Sequence, residues 1–145
     1  SLSALPARAN PQVLAAQTCL ADSTSGKDRK LLGRWIFSAL AAHPEMAGLS
    51  TVGTAEREQI SREFAELFTR LVSQDCAEQF RALASSQGAN AMGQAFEHVG
   101  KVAMQELMGD PNVNSAISVF EKYVDEAALE RAIGTPGKTG QGAKP

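Results

Sequence analysis

Four cations, Lys27, Arg29, Lys30 and Arg34, follow the turn Ser23-Thr24-Ser25-Gly26. At a helix start, free amides, hydroxyls and cations together can hold an anion. No phosphate loop is spelled, because no glycine stands five residues before Gly26 and Asp28, not Ser or Thr, follows Lys27. Lys27, Arg29, Lys30 and Arg34 are the candidate interaction face, with a plain solvated face as the alternative. Asp110, Asn112, Asn114 and Glu121 stand at positions 1, 3, 5 and 12 of a calcium loop, with Ile117 at position 8. Ser115 replaces the glycine required at position 6, and Asp110 as N-cap with Pro111 as first helical residue accounts for the same letters without metal. His43 and His98 are isolated, and no HExxH or GxSxG accompanies them, so no catalytic and no metal residue is assigned and no cofactor is expected. Glu58 with Arg62 and Glu66 with Arg70 have the spacing of ordinary helix-surface pairs. Asp75 is the one acid beside an apolar stripe, where a local cap suits it. Met92, Met104 and Met108 suit core packing first, and an apolar pocket or adaptable interface second.

Composition narrows the classes further. The chain has 145 residues, 43% hydrophobic and 21% charged, with 14 basic and 16 acidic side chains. That is the profile of one globular domain with no electrostatic footprint for nucleic acid or an anionic membrane surface. No run approaches the roughly 18 apolar residues of a membrane-spanning helix. Cys19 and Cys76 lie far apart and in no CxxC or Cys/His pattern. An even pair suggests one disulfide if the protein is exported, and two buried thiols if it is not. Ala7-Arg8-Ala9 before Asn10 has the small-x-small form of a signal-peptidase site, so residues 1–9 read as a leader remnant or a flexible linker. Residues 134–145, GTPGKTGQGAKP, lack large apolar side chains and read as a disordered tail.

Between these ends apolar residues recur with period 3.6 and never alternate, which predicts an all-α fold: a single bundle of five to six helices over 10–133 with one long helix. Asn10 and Pro11 open the first helix, with Val13, Ala16 and Leu20 inward and Cys19 on their flank. The second, about Lys27 to Ala42, carries Leu31, Leu32, Trp35, Ile36, Ala39 and Leu40 around half its circumference, as a central helix with Trp35 in the core. Thr54 caps a long third helix to about Ser86, ended by Gly88, with a bend or re-start at Ser73-Gln74-Asp75. The fourth, Asn90 to Met108, faces Met92, Phe96, Val99, Ala103 and Leu107 inward. Its Gly93 and Gly100, each costing about 1 kcal/mol of helix propensity, predict a close helix approach. Pro111 opens a fifth with Val113, Ile117, Phe120 and Val124 inward, and Asp125 caps a short last one with Leu129 and Ile133.

The segments STSGKDRKLLGRWIFSALAAHPEM (23–46), FTRLVSQDCAEQF (68–80) and AMQELMGDPNV with FEKYVDEAAL (103–129) resemble a group of small, exported, all-helical proteins of unknown function in Gram-negative bacteria. That resemblance implies an upstream signal peptide, a periplasmic or secreted location and a Cys19–Cys76 bond. It supplies no substrate and no catalytic residue.

The expectation is a non-enzymatic exported protein, favoured as a monomer, that binds another macromolecule at the cell envelope or on a host cell, the setting of a virulence-associated protein. An interface of this kind shows as an exposed apolar patch of more than a few hundred Å². The places to look are Lys27 to Arg34 and the outer faces of the fourth and fifth helices. The rival is a carrier that holds a small apolar ligand in a pocket of Phe, Met and Trp35 between helices.

Overall fold

The computed structural model describes residues 10–86 and 89–135. The expected leader (1–9), the Gly88 stop and the tail beyond residue 135 lie outside them. All regular secondary structure among the described residues is helical: α1 (Pro11–Ser23), α2 (Gly26–Leu40), α3 (Thr54–Arg70), α4 (Ala77–Ser86), α5 (Ala89–Met108), α6 (Pro111–Ser118) and α7 (Glu126–Ile133). Two 3-10 turns, Ala47–Leu49 and Val119–Tyr123, and one π turn, Leu71–Asp75, complete it. The helices exceed the expected five to six because the long third helix is divided. The chain divides into two compact units between Met108 and Gly109, inside the 10–133 span expected as one domain.

In the N-terminal unit α1 and α2 start at their side-chain caps, whereas Thr54, expected as the cap of α3, is its first residue, preceded by Gly53 with no side-chain cap. The Asn10 side chain accepts from the Gln12 amide at 2.9 Å, and Pro11 occupies the first turn, where its missing N–H costs nothing. α2 starts a residue earlier than expected, at Gly26. Ser25 Oγ accepts from the Asp28 amide at 3.1 Å and the Asp28 carboxylate accepts from the Ser25 amide at 2.9 Å, a reciprocal capping box.

The expected long helix is interrupted where Ser73-Gln74-Asp75 stand, by a π turn in which the Cys76 amide reaches back five residues to the Leu71 carbonyl at 2.8 Å, and α4 re-starts beyond it. The added residue shifts the buried stripe from Ile60, Leu67 and Leu71 to Cys76, Phe80 and Leu83, so both halves stay on the core. Asp75 serves differently from the cap expected of it: its carboxylate accepts from Arg70 Nε at 3.0 Å.

Helix α5 packs against α1, α2 and α4, and α2 against α3. The face that α5 buries is Ala91, Ala95, Val99 and Ala103, rotated from the stripe expected from its large residues. Small side chains let neighbouring backbones approach, so the larger Met92 and Phe96 are left half-buried at the edge and Leu107 is more than a third exposed. α2 differs likewise: Leu32, Gly33 and Ser38 are buried, Trp35 and Ile36 are half-buried, and Leu40 is exposed. Trp35 is therefore an edge residue and not the core residue expected. The close approach predicted at Gly93 and Gly100 occurs instead at Gly33, where a Cβ would stand 2.8 Å from Leu107 Cδ1. A Cβ on Gly93 or Gly100 would meet nothing within 4 Å.

In the C-terminal unit, Asp110 caps α6 by accepting from the Asn112 amide at 2.8 Å, and Asp125 caps α7 by accepting from the Ala128 amide at 3.0 Å. Both starts agree with the sequence. The inward stripe does not, since no residue of α6, the 3-10 turn or α7 is buried.

Candidate functional site

Cys19 and Cys76 are joined, with Cα atoms 5.9 Å apart across 57 residues of chain. Of the two states open to this pair, the disulfide is the one present. The π turn presents Cys76, fully buried, to the α1 flank on which Cys19 lies. The Ser23 hydroxyl stands 3.7 and 3.6 Å from the two sulfurs and is the only donor of the three, because a disulfide sulfur carries no proton. In the chain-entropy account a loop of this length stabilises the folded state by about 4 kcal/mol.

Of the four cations proposed as one interaction face, three share a side of α2 and Arg29 does not. Arg29 is structural: its Nε meets Glu106 Oε1 at 2.6 Å and its NH1 the Thr24 carbonyl at 2.9 Å, tying α2 to α5. Lys27, Lys30 and Arg34, at positions three and four apart on α2, share another side and line a furrow toward α3 with Glu63, Glu66 and Arg70. Arg34 stands 3.9 Å from Glu63. The helix N-terminus itself is already filled by the Asp28 carboxylate, which also accepts from Arg70 NH2 at 3.0 Å. Burial pushes the Asp28 carboxyl up, but the Ser25 amide, the Arg70 guanidinium and the Ser25 hydroxyl together outweigh it and hold it below its ordinary value. Arg70, bonded to Asp28 and then to Asp75, is raised in turn. It thereby answers to two acids other than Glu66, its expected helix-surface partner.

Asp110 spends one carboxylate oxygen on the Asn112 and Val113 amides, so the calcium-loop spacing belongs to a helix cap. His43 Nδ1 accepts from the Glu45 amide at 3.1 Å in the turn after α2. Among the described residues no three His, Cys, Asp or Glu side chains gather as a metal site requires.

Two apolar surfaces stand out instead, one in each unit. In the N-terminal unit an open groove of about 410 Å³ runs between α2, α3 and α5. Its walls are Trp35, Ile36, Phe64, Phe68, Met92 and Phe96. Trp35 stacks on Phe64 with ring centroids 4.2 Å apart, and Phe68 on Phe96 at 4.9 Å, so four rings brace one another along it. Gly93 and Gly100 border the groove, and Glu97 is the charged residue among those that line it.

Among the described residues of the C-terminal unit none is buried, and several large apolar side chains are exposed. Phe120 is 61% exposed, Tyr123 83% and Ile133 75%. A cleft of about 530 Å³ there is walled by Phe120, Val124, Leu129 and Ile133 and edged by Glu121, Glu126 and Glu130. The sequence contained these residues as a stripe, and period 3.6 gave no means of telling a covered stripe from an open one. Phe37, Leu40, Met46 and Leu49 form a further exposed run around the end of α2 and the following 3-10 turn.

No protein-family model matches this chain, and neither the curated proteins nor the solved structures contain a significant match to it. No described helix is long and apolar enough to cross a membrane.

Proposed function

We propose that this chain is a non-enzymatic, exported binding protein that docks another macromolecule, at the cell envelope or on a host cell, through the apolar residues of its C-terminal unit. One observation carries this: from Pro111 to Ile133 no residue is buried, yet Ile117, Phe120, Tyr123, Leu129 and Ile133 are displayed. A large exposed apolar surface on a water-facing protein is costly unless something covers it in use. The Glu121, Glu126 and Glu130 edge gives the docked segment a chemistry, apolar anchors flanked by Lys or Arg. Export is supported by the Cys19–Cys76 bond, which persists in oxidising compartments.

The test is site-specific photo-crosslinking from position 123 in intact cells, with the Phe120→Asp/Ile133→Asp double variant as control. A discrete adduct on an envelope or surface protein that the double variant loses supports the proposal. An adduct pattern indifferent to the double variant contradicts it. The rival reading, a pocket for a small apolar ligand, has its own support in the ring-lined groove of the N-terminal unit.

A further inference from the structure

We infer that the α2–α3–α5 groove is a binding site for one unbranched alkyl chain whose end group is neutral or cationic. The inference is independent of the docking surface proposed for the C-terminal unit. Three observations carry it. First, the groove is shaped and not merely uncovered: Trp35–Phe64 and Phe68–Phe96 stack on one another, so the walls are braced without filling the space between them. A site of about 410 Å³ is within the range of small-molecule pockets.

Second, Gly93 and Gly100 lower the helix propensity of α5 without allowing any helix to approach, since a Cβ at either would meet nothing within 4 Å. What their missing side chains leave is space along the groove they border. Third, the lining selects the occupant. From Met92 to Gly100 the groove follows α5 for about 12 Å at 1.5 Å per residue. That is the reach of roughly nine or ten bonds of fully extended chain. Wall residues are aliphatic, aromatic or the adaptable Met92, which suits a linear hydrocarbon. Glu97 lies at the groove and repels an anionic end while attracting a cationic one.

Trp35, the chain's one tryptophan, lines this groove, and its emission is therefore a probe of the groove's occupancy. The experiment is titration of the full chain with decanol, decylammonium and decanoate below their micelle concentrations, read by Trp35 fluorescence, alongside phosphatidylcholine vesicles. The variants are Gly100→Leu, which fills the groove with a good helix former, and Gly100→Ala, which leaves most of it open. Expected are saturable one-to-one responses to decanol and decylammonium, several-fold weaker binding of decanoate, a loss of at least tenfold in Gly100→Leu, and near-normal binding in Gly100→Ala. A vesicle response that Gly100→Leu removes supports the inference and makes a membrane lipid the source of the chain. A decanol response without one supports it with a free amphiphile as the source. No saturable response in the folded wild type, or equal binding by wild type and a Gly100→Leu variant of unchanged helicity, overturns it. Equal affinity for decanoate and decylammonium overturns the assigned end group.

Discussion

The two units are built from the same kind of sequence and treat it in opposite ways. In the N-terminal unit the stripes of α1, α3, α4 and α5 close on one another, with Leu20, Leu71, Leu83 and Cys76 at 2% exposure or less and a disulfide across them. In the C-terminal unit α6 and α7 are capped as carefully, by Asp110 and Asp125, yet none of their residues is fully buried. Caps and periodicity specify that a helix forms; they do not specify that its apolar side is covered. The first unit is thus a disulfide-bonded packed core, and the second exposes apolar side chains that the proposed function assigns to docking.

The largest effect that would break this contrast is expected at the staple. Replacing Cys19 and Cys76 together by Ala should lower the stability of the N-terminal unit by about 4 kcal/mol, seen as a fall in the urea midpoint. A double variant as stable as wild type would mean that packing alone holds the scaffold.

Next comes the Ser25–Asp28 capping box. Asp28→Asn should cost about 1 kcal/mol at neutral pH and flatten the acid limb of the stability profile. The sign follows from the lowered Asp28 carboxyl: its contribution is whole above the ordinary value of 3.8 and is lost as the pH falls from there through the lowered folded value. Urea midpoints measured from pH 7 down to pH 2 for both proteins check it; parallel profiles would count against the Arg70–Asp28 linkage.

Comparable in size but opposite in sign is Gly93→Ala, which has room for its methyl and should stabilise α5 by up to about 1 kcal/mol. Gly33→Ala should gain less, since Leu107 must move aside. Equal thermal shifts for the two would blur the distinction between an open glycine and a packed one. The smallest effect should be that of Phe120→Asp/Ile133→Asp, within about 0.5 kcal/mol of wild-type folding stability. A larger loss would show that these side chains already have cover.

Much of the scaffold was legible in the letters. Asn10-Pro11, Asp110-Pro111 and Asp125 marked helix starts because short polar acceptors satisfy orphan amides. Ser73-Gln74-Asp75 marked the re-start between α3 and α4, although the device proved to be a π turn with Asp75 held by Arg70. Faces were harder to read. Large residues on α5 pointed toward Phe96 and Leu107, whereas tight packing selected the alanines, because small side chains bring backbones together. The same competition turned Gly93 and Gly100 from packing glycines into the border of a groove and left Gly33 as the close contact. The basic cluster was legible as charge but not as geometry. Which partner each cation meets depends on α3 and α5, far away in sequence, so Arg29 turned to Glu106 while Lys27, Lys30 and Arg34 took another side. The open face of the C-terminal unit left no local signal, because exposure depends on what a stripe finds to pack against.

The most direct measurement is a matched pair of truncations, Phe80→Ala and Phe120→Ala, each compared with wild type by urea denaturation. Phe80 is 3% exposed and Phe120 61%. The account predicts a loss of about 3 to 5 kcal/mol for Phe80→Ala and under about 0.5 kcal/mol for Phe120→Ala. Similar losses at the two positions would contradict it, for the C-terminal unit would then have a covered core and no apolar surface to offer.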